Sequence, residues 1–126
     1  MTQPNAFYIT AENAEPVAHP LTLEAMQQSV GGYICPAFTV DGPDGHSLTG
    51  YVDDEGAING ATLTAILDNG TPLFGPLLIT GLDGGGETVP LTPTDMDWIE
   101  ERLTLVLLAS SDRETIDACW RLTLRD

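Results

Sequence analysis

Cys35 and His46 are the two side chains of this sequence best suited to nucleophilic chemistry. An imidazole can take the proton of a neighbouring thiol, and Asp44 or Asp53 would orient the ring. Neither residue sits in a local signature, and a lone cysteine more often packs as a small hydrophobe. The structural reading, Cys35 as packing and His46 as a solvated turn residue, therefore ranks above catalysis. His19, His46 and nearby carboxylates are metal-ligand types, but the chain lacks the two- to four-residue ligand spacings of zinc sites. Asp53-Asp54-Glu55-Gly56 bunches its oxygens where a calcium loop needs them at alternate positions, so it reads as a charged hairpin turn. Gly81-Leu82-Asp83-Gly84-Gly85-Gly86 has the glycines of a phosphate cradle, yet a P-loop requires a lysine and the chain has none. Asp83 and Glu87 flank that loop, which favours a plain flexible connection. No cofactor or metal is expected.

Charge is the strongest compositional signal. The formal net charge is -15, and the only cations besides histidine are Arg102, Arg113, Arg121 and Arg125. Fifteen carboxylates precede Arg102, whereas residues 102–126 hold four acids and four arginines. Nucleic-acid binding relies on clustered Lys and Arg that displace counterions from phosphates, which excludes DNA and anionic membranes as direct partners. Asp97, Glu100 and Glu101 with Asp53, Asp54 and Glu55 form either a solvated surface suited to a salty cytoplasm or a negative patch able to occupy a DNA-binding cleft of another protein. Trp98, Tyr33 and Trp120 offer an aromatic contact surface, although finishing the core is the more common task of such residues.

The elements that hold these residues follow from pattern and punctuation. At 126 residues with 42% hydrophobic and 18% charged residues, one folded domain is expected. Ala6 to Thr10 reads as a strand, with a turn through Glu12, Asn13 and Glu15 and a short second strand at Val17 and Ala18. Thr22 caps a helix with apolar positions Leu23, Met26 and Val30, stopped by Gly31 and Gly32. Tyr33 to Val40 is a strand in which Pro36 marks an edge or a bulge. It pairs in a hairpin with His46 to Val52. Ala61 to Asp68 suits helix or strand, and Leu73 to Thr80 reads as one buried strand. Thr92, Pro93 and Asp95 start the clearest helix, whose apolar set is Met96, Ile99, Leu103 and Leu107. Asp112 to Ala118 suits a helix, and Trp120 to Leu124 a last strand. The sum is an α+β domain, a mostly antiparallel sheet covered by one or two helices.

Four ordered blocks carry a family resemblance. Leu21 to Ile34 resembles the signature lEalQeiVGGYIE of domain of unknown function 3846. Tyr51 to Gly60 is similar to its vNEEGkLkGLp turn, Phe74 to Gly81 to its ivGdvlivG strand, and Leu91 to Ile99 to its LTdEdve helix start. The match spans roughly residues 6 to 103 and leaves 104 to 126 as a C-terminal extension. Cys35-Pro36 and Ala61 depart from the pattern. The resemblance brings no catalytic or binding residues; it implies an accessory protein of phages, plasmids or conjugative elements and a role in counter-defence.

The reading that follows is a non-catalytic acidic binding protein of the cytoplasm of a host cell. It would occupy a basic site on a host protein through Asp53, Asp54, Glu55, Asp97, Trp98, Glu100 and Glu101, in the manner of a DNA mimic. The alternative is a sponge that sequesters a small nucleotide signal at a subunit interface of a homo-oligomer, through Arg102, Arg113, Arg121 and Arg125. The Cys35 and His46 hydrolase stands last. No basic n-region and apolar h-region opens the sequence, and Cys35 and Cys119 are expected as reduced thiols.

Overall fold

The computed structural model describes residues 3–43, 45, 47–56, 60–109 and 116–124. Two sheets and two helices share the domain. The first sheet contains β1 (Ala6–Ile9), β2 (Ala14–Val17), β3 (Ile34–Asp41), β4 (Ser47–Asp53), β7 (Leu77–Leu82) and β8 (Thr88–Val89). Its order is β2-β1-β7-β4-β3, with β8 also on β7, and every pairing is antiparallel. The second sheet has the order β6-β5-β10-β9, built from β5 (Leu63–Leu67), β6 (Pro72–Phe74), β9 (Leu103–Ala109) and β10 (Ile116–Leu122). Only its β5 and β10 contact is parallel among the described ladders.

Side-chain alternation along β1 and β7 sorts the core into two layers. Phe7, Ile9, Leu77 and Ile79 join Leu48, Ala65, Leu67 and Leu122, so this layer lies between the two sheets. Met96 and Ile99 of α2 (Pro93–Glu101) pack into the same layer. Ala6 and Leu78 point the other way and meet Tyr51 together with Met26 and Val30 of α1 (Leu23–Val30). The helices therefore cover opposite faces of the first sheet. Truncating a fully buried aromatic such as Phe7 to Ala costs about 3–5 kcal/mol.

The helix ends follow the local chemistry anticipated for them. The Thr22 hydroxyl accepts from Ala25 N–H at 3.2 Å, and Gly31, at φ 90°, closes α1 by donating to Gln27 O. At α2 the Thr92 hydroxyl accepts from Asp95 N–H at 3.1 Å while Asp95 Oδ2 accepts from Thr92 N–H at 2.9 Å, a reciprocal capping box. Pro36 lies in edge strand β3, where the ladder to β4 shifts between Pro36 and Phe38. Gly50 stands opposite Phe38, and a Cβ there would overlap the Phe38 ring.

Several expectations need correction. Leu73 to Thr80 is two strands in different sheets: Gly75, at φ 79°, and Pro76 turn the chain from β6 to β7, with Gly75 N–H donating to Thr62 O at 2.8 Å. The α2 helix stops at Glu101, and Leu103 begins strand β9 rather than continuing the helical stripe. The run Leu103–Ala109 is apolar at nearly every position, so it satisfies a period of 3.6 and a period of 2 alike. Ala61 to Asp68 resolves as strand β5, Ile116 to Ala118 belong to β10 instead of a helix, and Glu15 lies within β2 rather than in the turn. Leu23 is 60% exposed despite its place in the apolar pattern of α1.

Replacing Thr92 by Ala removes the α2 cap and is expected to cost about 1 kcal/mol, lowering the thermal midpoint by roughly 3–6 °C. Thr92→Ser should retain most of it. An unchanged midpoint for Thr92→Ala in thermal denaturation followed by circular dichroism would show that the box does not hold the helix.

Candidate functional site

The α2 helix places its acids by simple geometry. Positions 97, 100 and 101 are three and four residues apart and share one face, opposite the buried Met96 and Ile99. Asp97, Glu100 and Glu101 are exposed and together line a cleft of about 320 Å³. Two of these carboxylates occupy the last turn of α2, where no basic residue stands and where the helix dipole disfavours negative charge. Adjoining them is a cavity of about 470 Å³ that shares Asp97 and Glu100 and is walled by Pro4, Pro16, Pro90, Pro93, Leu91 and Met96. Backbone bonds fix that wall: Leu91 N–H donates to Asn5 O at 2.8 Å, and Asn5 N–H to Val17 O at 2.9 Å.

Trp98 flanks the acidic face and packs its half-buried ring against the inter-sheet core. The Arg102 guanidinium lies over that ring at 4.0 Å, a cation–π stack. Trp120 also completes the core, and its Nε1–H donates to Thr10 O at 3.0 Å. The core role of both tryptophans thus prevails over a shared aromatic surface; Tyr33, 77% exposed, lies beside α1 on the other side of the first sheet.

Asp53, Asp54 and Glu55 form a separate group. Asp53 Oδ1 accepts from Glu55 N–H at 3.0 Å, closing the turn on itself. A Cβ on Gly32 would come within 2.6 Å of the same oxygen, which sets Asp53 against the end of α1. Asp54 N–H donates to Tyr33 O at 2.9 Å. The structure therefore keeps Asp97, Trp98, Glu100 and Glu101 on one helix and sets Asp53 against the end of α1, on the opposite face of the sheet.

The other constellations acquire definite places. Cys35 is half-buried with its thiol 3.7 Å from Pro36 O. The hairpin pairs Ser47 with Asp41, six residues along β3 from Cys35, a span of roughly 20 Å at the rise of a strand. His46 and Asp44, like Arg113 and Arg125, fall outside the described residues. Arg121 is exposed opposite Thr104 and Ile66, on the face of β10 that points away from the buried Leu122. In the glycine-rich loop Asp83 Oδ1 accepts from Gly85 N–H and from Glu87 N–H, both at 2.9 Å. The carboxylate of the loop itself thus fills the position that an anion would take. Among the described residues no group of three or more His, Cys, Asp or Glu is arranged to hold a metal, and no helix is long and apolar enough to cross a membrane.

One polar cluster had no local sequence signal. The Asn5 side chain donates to His19 O at 2.9 Å and accepts from His19 N–H at 2.8 Å. His19 Nδ1 contacts Pro20 O and Nε2 contacts the Ser29 hydroxyl, while Tyr8 OH donates to Ser29 O at 2.7 Å. These bonds clasp the segment before α1 to the last turn of that helix, and neither His19 nor Ser29 lines the two cavities beside α2.

The model of one protein family, described as a domain of unknown function (DUF3846), matches residues 3–104. The chain belongs to the DUF3846 family. No curated protein and no solved structure matches it. Most of β9 and the whole of β10 lie beyond the matched segment of this DUF3846 protein, yet β10 is an interior strand and Leu122 is fully buried.

Burial pushes the Cys119 thiol above its ordinary 9.0 and the Tyr8 hydroxyl above 10.0. Both groups keep their protons in the folded state at a pH where the unfolded chain releases them. These two groups therefore leave stability unchanged up to about pH 8 and lower it as pH rises past the ordinary thiol and phenol values. Denaturant unfolding at a series of pH values checks this, and a midpoint that rises between pH 8 and 10 would contradict it.

Proposed function

We propose that this DUF3846 protein is a non-catalytic binding protein that docks the acidic face of α2, with its adjoining groove, onto a basic site of another protein. The observation that carries this reading is the placement of Glu100 and Glu101. Two exposed carboxylates in the last turn of a helix oppose the dipole, and each stands three or four residues from Asp97, the spacing at which like charges repel. Local rules broken without a structural return point to function. The adjoining cavity of about 470 Å³ supplies apolar walls, so a partner that brings arginine or lysine together with a nonpolar side chain would bury both.

The acidic excess before Arg102 would steer such a partner inward from a distance. A protein cleft that normally receives nucleic-acid phosphates has the matching charge, which makes this a DNA-mimic reading. The phage and mobile-element setting implied by the family resemblance gives it a purpose, counter-defence against a host DNA-binding protein. The two arginines described here lend the nucleotide-sponge alternative no support, since Arg102 stacks on Trp98 and Arg121 is on an outward face of β10.

The test uses a short fluorescently labelled peptide of arginine and leucine, with its polarisation as readout. The triple variant Asp97→Asn, Glu100→Gln, Glu101→Gln is expected to weaken binding by about tenfold or more, and raising salt to weaken the wild type similarly. Asp53→Asn, Asp54→Asn, Glu55→Gln changes net charge by the same amount outside α2 and should have a much smaller effect. Equal losses in both variants would mean that only overall charge matters and would remove α2 as the site.

A further inference from the structure

Apart from the two-residue β8 on β7, four strands end the two sheets: β2 and β3 in the first, β6 and β9 in the second. Three of these edges carry devices that discourage strand addition. Pro16 lies in β2, Pro36 and a register shift interrupt β3, and the three-residue β6 opens on Pro72. A proline offers no N–H to a new ladder, and a bulge twists the edge away. The fourth edge has none of them. Leu-Thr-Leu-Val-Leu-Leu-Ala of β9 contains no proline, glycine or charge and pairs with β10 over seven consecutive residues without a shift. Every second residue of such a strand turns its N–H and C=O outward, so β9 presents a regular open ladder among the described residues.

A side chain marks the same edge. Register sets Leu105 opposite Trp120 and Leu103 opposite Leu122, and Leu103, Trp120 and Leu122 all pack in the inter-sheet core. Leu105 thus belongs to the core-facing side of the sheet, yet it is 53% exposed. The apolar layer reaches β9 at Leu103 but leaves Leu105 largely uncovered.

Charge selects the occupant. The net charge of -15 lies entirely before Arg102, whereas residues 102–126 are balanced at four acids and four arginines. A second copy would be repelled along most of the chain, but not at an uncharged strand within its charge-balanced last fifth. The strand is also its own complement in length and polarity. We propose that two copies join β9 to β9 antiparallel about a two-fold axis at Val106, fusing two four-stranded sheets into one. Both Leu105 side chains then fall on the same face as diagonal neighbours and cover each other. This pairing involves no residue of the α2 groove, so it stands apart from the binding reading.

Light scattering coupled to size exclusion, over a range of concentrations, tests the proposal on the full chain. The wild type is expected to double its mass as concentration rises. Leu105→Lys, a change at an exposed position, should remain monomeric with unchanged circular dichroism, while Leu23→Lys on α1 should dimerise like the wild type. Should Leu105→Lys fail to fold, hydrogen exchange of the wild type decides, with β9 amides gaining protection on concentration. A monomer at every concentration, a dimer that survives Leu105→Lys in folded form, or β9 exchange independent of concentration would each overturn it. A monomer whose β9 is captured by a strand of another protein would do so as well.

Discussion

In a chain without lysine, whose first arginine is residue 102, backbone N–H groups are the nearby partners open to carboxylates that shape the early turns. The fold shows this solution three times. Asp53 accepts from Glu55 N–H, Asp83 from Gly85 N–H and Glu87 N–H, and the buried Asp95 from Thr92 N–H. Each bond closes a turn or starts a helix, so the negative charge is spent on local architecture. Hydrogen bonds to an ionised acceptor are among the stronger ones available to a protein, which makes an acidic chain compatible with tight turns. Asp97, Glu100 and Glu101 stand outside this pattern: they face solvent on the far side of a helix whose other face is core.

The position of α2 depends in turn on the layer between the sheets. Met96 and Ile99 enter that layer beside Phe7, Leu48 and Leu77, and the capping box fixes where the helix begins. The N-terminal segment meets the α2 linker through Asn5 O and Leu91 N–H, which forms the wall of the neighbouring groove. Trp120 ties the second sheet to the end of β1 through Thr10 O. Acidic face, proline wall and tryptophan are therefore held by elements from both ends of the chain, including a strand beyond the DUF3846 match.

Local chemistry made much of this legible in the sequence. Thr22 and Thr92 announce caps because hydroxyls satisfy orphan N–H groups, and Pro36 announces an edge because it cannot donate. Nonlocal facts were not legible. Gly75-Pro76 moves the chain from one sheet to the other, and nothing in Leu73 to Thr80 distinguishes that from one continuous strand. The leucines after Arg102 fit a helix and a strand equally, and pairing with β10 decides. Asp53 and Asp97 look alike in sequence but are assigned to different faces by the alternation of β4 and the packing of α2. The clasp of Asn5, His19, Ser29 and Tyr8 joins residues 10 or more positions apart, beyond the reach of any motif.

Carrying two carboxylates in the last turn of α2 should cost the fold stability. Denaturant and thermal unfolding of Glu100→Gln, Glu101→Gln against the wild type, at low and high salt, measures that cost directly. The variant midpoint is expected to be higher by roughly 2–4 °C at low salt, with the gap narrowing as salt screens the charges. A variant equal to or less stable than the wild type at low salt would mean that these acids are already stabilised within the fold, contrary to the account.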